Sequence, residues 1–420
     1  MGTLAPEWNG HHSGRWFQVS FDNGSFESDY DMRKLGMVLL LTIGWGNLNA
    51  GDDKVAQWIE TIRSVGAQGR GSLEARAART QLAGRGPEIL RDLLVGMDTP
   101  DIVSSNWLRS VFDEIVDRTW AHNPKLIPDQ EFRDFFMDSR REGRVRRLVL
   151  SVLARRDPEF PGRIIPGLVE DPEFRFDAID HLLKQAKRRQ ENNESEQAIT
   201  LFQRAFEFSR DENQIRTAAD QLVNLGQPVS IVDQLGYILD WYLIGPFHGP
   251  GTSSFGMVYP PEKNVDLQAR YMGKLGEVSW KRYRTNDTFG TVNLVDTLSP
   301  CDEAAAYAFT VVTLEKDHHA QFRCGADDNL SIWLNDSKVF AKEEWKNGTR
   351  FDRFRVNVKL KKGRNRILVK VCQGTKYSNP ELSNLWSVQM RICESDGKGV
   401  AFDYALPEIR KGSQLNDSER

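Results

Sequence analysis

The chain has 420 residues, enough for two or three domains, and its 40% hydrophobic and 27% charged residues can support buried cores. A formal net charge of −3 argues against a nucleic-acid-binding protein, which would carry a basic excess. No apolar run reaches the ~18 residues of a membrane span, so no transmembrane segment is expected.

The longest apolar run, 35–43, follows Met32-Arg33-Lys34 and leads to the small-residue end at Ala50. Positive, apolar and small, in that order, is the layout of a secretory signal peptide, here over 32–50. Export to the periplasm, the cell surface or the medium follows from it, and a short buried helix is the competing reading. Export signals begin a chain, so translation is expected to start at Met32. Residues 1–31 would then be a non-native or disordered extension, and they show no apolar periodicity.

From Asp53 to Gly226 the pattern is helical. Val55, Ile59, Ile62 and Val65 recur at helical spacing. Ser72 to Ala83 reads as an Ala-rich helix ended by Gly84, and Pro87 opens the next one. Further helices are expected at 146–155, 161–170, 174–189, 195–208 and 214–225. Gly66, Gly69 and Gly71 form a helix-to-helix turn, because no strand precedes them to make a dinucleotide site. Arg140, Arg141, Arg144, Arg146 and Arg147 read as a solvated basic face. The Leu73/Ala77/Ala78/Leu82 block followed by Pro87-Glu-Ile-Leu90 resembles one unit of the HEAT family. Ala198, Ala205-Phe206 and Ala218 are similar to the small-residue positions of a tetratricopeptide pair. The resemblance implies a HEAT-like α-solenoid over 51–235 that docks a protein partner, with a plain helical bundle as the competing arrangement.

Near Gly236 the texture changes. Tyr237 to Gly245 is β-branched and aromatic, and Pro246 to Gly251 breaks it. Alternating runs follow at 278–283, 306–314, 319–324, 330–335, 351–360, 365–372 and 386–393. Phe354, Val356, Val358 and Leu360 alternate with Arg355, Asn357 and Lys359. Seven such runs joined by Gly, Asn and Asp turns predict a two-layer antiparallel β-sandwich over 236–408, with a disordered polar tail at 409–420. The expected fold class is multidomain, α then β.

The stretches 321–336 and 362–372 are the most specific. Asp327 and Asp328 precede a short alternating strand, Asn335-Asp336 turns it, and a Gly-x-Asn turn feeds an apolar strand. Two carboxylates at the head of a strand, with Asn329 and Asn335, are the hard oxygen ligands that calcium takes. Use of Asp327 as a turn or capping residue is the competing reading. These residues resemble the jelly-roll modules of the galactose-binding-like and PA14 classes. In PA14 lectins the aspartate pair holds a calcium ion that touches the sugar. The resemblance, covering about 321–393, implies that role for Asp327 and Asp328 and a carbohydrate ligand. The chain departs from the family at Asn329, where Gly is usual, and at Asn335-Asp336, where Asn-Gly is usual.

Trp333 and Trp345 are the aromatic candidates for stacking on a sugar face. Trp333 alternates away from Ile332 and Leu334, and Trp345 lies in the charged loop 342–348, whereas Trp386 shares the parity of Val388 and belongs to the core. His318 and His319 fall on opposite faces of one strand, so they do not share a metal. Cys372 and Cys393 end the last two strands, and an exported chain permits a disulfide between them; two free buried thiols are the alternative. No H-E-x-x-H, G-x-x-x-x-G-K-S/T or G-x-S-x-G pattern occurs, and no separated acid/base pair stands out. The expected protein is therefore an exported, non-catalytic binding protein. A structural assembly protein, or an accessory module of a polysaccharide-degrading system, is the alternative.

Overall fold

The computed structural model describes residues 50–345, 348–375 and 385–408. The expected extension, all but the last residue of the expected signal segment, and the expected tail lie outside the described residues. Helices fill the first half: α1 (Ala50–Arg63), α2 (Ser72–Ala83), α3 (Leu90–Met97), α4 (Ile102–His122), α5 (Asp129–Met137), α6 (Gly143–Arg156), α7 (Phe160–Ile164), α8 (Arg175–Glu191), α9 (Ser195–Phe208), α10 (Glu212–Asn224) and α11 (Ile231–Leu235). Antiparallel strands fill the second. Among the described residues no helix is long and apolar enough to cross a membrane.

Val55, Ile59 and Ile62 are buried as their spacing predicts, and α1–α7 share one core that runs on to Phe174. Helices α8–α11 build a second core, joined by Tyr237 and Phe289 from the strand half. Asp101 and Asp211 cap α4 and α10, each carboxylate accepting two backbone N–H groups that the helix leaves over. Three local expectations are corrected. Helix α7 stops at Ile164 and gives way to a 3-10 turn, because Pro166 offers no N–H and locks its own backbone. Helix α2 buries Ala75, Ala78 and Leu82, an i, i+3, i+7 stripe that leaves Leu73 exposed. Arg146 is not solvated: it is buried on the Val149/Leu153 face of α6. Its guanidinium donates to both oxygens of Asp171 at 3.0 and 2.6 Å and to the Phe136 carbonyl at 2.7 Å.

The strands are β1 (Asp240–His248), β2 (Arg270–Gly273), β3 (Gly276–Ser279), β4 (Lys281–Arg284), β5 (Val292–Asn293), β6 (Ala304–Leu314), β7 (His318–Asp327), β8 (Asn329–Leu334), β9 (Ser337–Lys342), β10 (Phe354–Leu360), β11 (Gly363–Gln373), β12 (Ser387–Cys393) and β13 (Asp403–Tyr404). The larger sheet runs β4-β1-β6-β11-β8-β9, with β13 also on β6; the smaller runs β10-β7-β12-β5, and β2-β3 is a separate hairpin. Alternation assigns the faces. Leu330, Ile332, Val369 and Val371 of the larger sheet share one core with Phe322, Val356, Met390 and Ile392 of the smaller. The opposite face of the larger sheet carries Tyr242, Tyr307, Phe309, Trp333 and Cys372, covered by residues of the 255–280 segment.

Of the two readings of Cys372 and Cys393, that arrangement has the free buried thiols and not the disulfide. Cys372 faces the outer cluster of the larger sheet and Cys393 belongs to the smaller sheet, so the thiols do not meet; all four cysteines are free.

From Val55 onward helices and strands belong to one compact unit. A buried charge cluster joins them. Arg391, fully buried in β12, donates to the Leu235 carbonyl at the end of α11 (3.0 Å), to the Gly397 carbonyl (2.8 Å) and to both oxygens of Asp352 (2.7 and 2.6 Å). Arg323 of β7 adds a third contact to Asp352 at 2.9 Å. Burial pushes the Asp352 carboxyl up, but the two guanidiniums outweigh it and hold it below the usual aspartate range. On the helical side, Arg175 and Arg210 reach Asp396 at 3.3 and 3.5 Å.

Candidate functional site

Strand β7 ends at Asp327 in the smaller sheet, and β8 begins at Asn329 in the larger one, so the aspartate pair is the corner where the chain changes sheets. Asp327 sits opposite Ser387 of β12, and the Asp328 N–H donates to the Cys372 carbonyl of β11 at 3.0 Å. The peptide bond between the two aspartates is cis.

Both carboxylates are turned inward, at 4% and 2% exposure. Asp327 Oδ1 accepts the Gly348 N–H at 3.0 Å, and Asp328 Oδ2 accepts the Gly374 N–H at 3.0 Å. Two glycines make these approaches. A Cβ on Gly325 of β7 would collide with the Arg350 carbonyl, so the Arg350 backbone packs directly on the strand. A Cβ on Gly374 would fall 2.8 Å from Trp345 Cε3 and 3.1 Å from Asp328 Oδ2. Trp345 therefore stands beside the Asp328 carboxylate across Gly374. Its ring is half-buried, and its Nε1 donates to Glu343 Oε1 at 3.0 Å.

The electrostatics of the corner are unusual. Burial and the adjacent Asp328 carboxylate raise the Asp327 carboxyl to about 7, against the lowering pull of the Gly348 N–H and of Arg353. Arg353 is itself shared with Glu344 and the Gly348 carbonyl. Asn329 is fully buried; its Oδ1 accepts the Glu344 N–H, while its Nδ2 meets no partner among the described residues. Like-charged carboxylates packed together, beside an unused amide donor, form a donor set that gains from a cation and from a polar ligand. Among the described residues no group of three or more His, Cys, Asp or Glu side chains surrounds such a cation. Calcium takes about six to eight oxygens, so Asp327 and Asp328 would hold it only with backbone, water or ligand oxygens completing the shell.

The expected site residues divide. Asp327, Asp328 and Trp345 come together. Asn335 does not: it lies past the far end of β8, about 20 Å away at ~3.3 Å per strand residue. Its side chain is spent on the turn, Oδ1 accepting the Arg366 N–H at 2.8 Å and Nδ2 donating to Asn365 Oδ1 at 3.1 Å. Trp333 points to the outer face, as alternation predicts, but is 7% exposed beneath Lys338 Nζ, 4.7 Å above its ring. It is no platform for a sugar. Gly348, Gly374 and Arg353 belong to the corner and were not anticipated; a glycine just past an apolar strand, as at Gly374, was the one available sign. His318 pairs with Glu394 at 3.0 Å, while His319 is exposed, on the other face.

No family model matches the chain, and no curated protein does. Among solved structures, a β-glucosidase from Kluyveromyces marxianus aligns at 12% identity and a TM-score of 0.23, over 41% of this chain and 21% of its own. The GH31 α-xylosidase of Xanthomonas citri aligns at 11% identity and a TM-score of 0.16, over 38% of this chain and 16% of its own. Neither assigns a family. The chain spans about a fifth or less of either enzyme's length, and at these scores neither likeness bears on fold or function.

Proposed function

We propose that the chain is an exported, non-catalytic carbohydrate-binding protein. In this reading the two sheets are a jelly-roll β-sandwich of the PA14 or galactose-binding-like kind. The helices are a HEAT-like solenoid that docks a protein partner. The ligand meets the sheet-changing corner. A calcium ion held by Asp327 and Asp328 would cancel their repulsion and take sugar hydroxyls as further oxygen ligands, while Trp345 stacks on the apolar face of the ring. The observation that carries the reading is that Asp328 and Trp345 meet across Gly374, with Asp327, held by the Gly348 N–H, the adjacent residue of the same corner.

The test uses the full chain. Calcium titration by calorimetry, followed by glycan-array binding with and without chelator, should give calcium-dependent capture. Asp328→Asn should abolish both signals. Trp345→Ala should weaken sugar capture about tenfold or more and leave calcium affinity unchanged, since its ring supplies no oxygen ligand. Calcium-independent capture would remove the cation from the mechanism, and absence of capture on any glycan would end the reading.

A further inference from the structure

The β2–β3 hairpin displays apolar side chains that the fold does not use. Met272 is 82% exposed and Leu275 62% exposed, on either side of the turn through Gly273 and Lys274. Met257 and Val258 are exposed on the neighbouring loop. The two segments lie side by side, because Tyr259 and Tyr271 both pack on Phe247, at 5.2 and 6.3 Å between ring centres. The tip is also held in place. The Lys274 N–H donates to the Pro246 carbonyl at 2.7 Å, and its Nζ donates to the Asp302 and Glu303 carbonyls at 2.6 and 3.2 Å.

Charge identifies what this rim meets. From Arg270 to Arg284 the chain carries five basic residues and one acidic residue, in a protein whose overall charge is −3. Lys281, Arg282 and Arg284 of edge strand β4 are exposed and run from the hairpin side toward the Asp240 end of β1; Glu277 offsets Arg270, and Asp240 offsets part of the Arg282 and Arg284 charge. A second copy of the chain would bring the same cations against themselves in a two-fold contact. An apolar tip flanked by cations suits a surface that is apolar beneath and anionic on top.

We infer that the Met272/Leu275 hairpin and its neighbour Met257-Val258 dock the protein peripherally on anionic lipid bilayers, the apolar tip entering the interface and β4 lying against the headgroups. Both parts are needed, since a few apolar residues anchor only weakly and each cation near an anionic surface adds about fivefold. The rim sits at the Gly374 end of the larger sheet, where the Glu303 N–H donates to the Gly374 carbonyl at 2.7 Å. Docking does not depend on the carbohydrate reading and is measured without any sugar.

The experiment is vesicle co-sedimentation of the full chain, with phosphatidylcholine alone or with about 30 mol% phosphatidylserine, at low salt and at about 0.5 M salt. Wild type should bind the anionic vesicles at low salt and lose most of that binding at high salt. Met272→Asp with Leu275→Asp should reduce binding at least about tenfold, and Lys281→Glu with Arg282→Glu several-fold. These are surface positions, so melting temperatures should stay at the wild-type value; Met272→Ser with Leu275→Ser is the milder second pair. Wild type failing to bind anionic vesicles would overturn the inference, as would tip variants that bind like wild type. Self-association lost in the tip variants, without lipid binding, would assign the rim to a second copy and overturn it equally.

Discussion

Asp327 shows how a single side chain carries a stability consequence that its contacts alone do not reveal. Its carboxyl is raised from 3.8 to about 7 by burial and by Asp328, so between these values the folded chain holds a proton that the unfolded chain has released. The sign is therefore unfavourable to the fold as pH rises: the contribution of this carboxyl is fully present below about pH 4 and is lost as pH rises through about 7 when no cation is bound. Asp327→Asn removes that decline. In chelator at about pH 8 the variant should melt above wild type, and the gap should close at about pH 4, as scanning calorimetry can measure. Arg146 is a residue of the opposite kind. Its ion pair with Asp171 is buried, so Arg146→Ala strands a carboxylate and should cost about 3–5 kcal/mol in urea unfolding. Arg146 looked solvated because four other arginines surround it in sequence. The i, i+3, i+7 spacing with Val149 and Leu153 was nevertheless there to be read, and only its partner, 25 residues further on, was not.

At the scale of elements, strands were legible where both faces are chemically distinct. β10 alternates residue by residue between buried Val356, Val358 and Leu360 and exposed Arg355, Asn357 and Lys359, as its sequence predicts. β9 went unread because it is an edge strand with a largely exposed surface, formed by pairing with β8 rather than by its own apolar pattern. The turn between them was legible in place but not in role. Asn335 has a left-handed backbone (φ 49°) and uses its side chain to pin the start of β11, so it belongs to the hairpin and not to the corner. Asn335→Ala should therefore lower stability by about 1–2 kcal/mol through the turn conformation and the lost hydrogen bonds. Calcium and glycan titrations of the variant should match wild type; a loss of either affinity would return Asn335 to the site.

At the scale of the whole molecule, the change from helical to alternating texture at Gly236 was visible, but the bond between the two halves was not. Its parts are Arg391, the Leu235 carbonyl and Asp352, separated by up to 156 residues, and no local pattern announces them. The same Asp352 lies four residues beyond Gly348, whose N–H holds Asp327. One short segment thus ties the aspartate corner, through Arg391, to the end of α11. Asp352→Asn leaves two buried guanidiniums without their carboxylate and should cost about 3–5 kcal/mol near neutral pH. Because the folded Asp352 carboxyl is depressed below 3.8, its contribution is fully present above that value and disappears as pH falls through the lower, folded one. The melting deficit of the variant should accordingly be large at about pH 7 and shrink as pH falls below 3.8 and wild type loses the same charge. The segment also predicts where the damage spreads. If Asp352 couples the halves, the variant's calorimetric trace should split into two transitions, the strand half melting first; a single transition merely displaced in temperature would show that the two cores are joined by something other than this carboxylate.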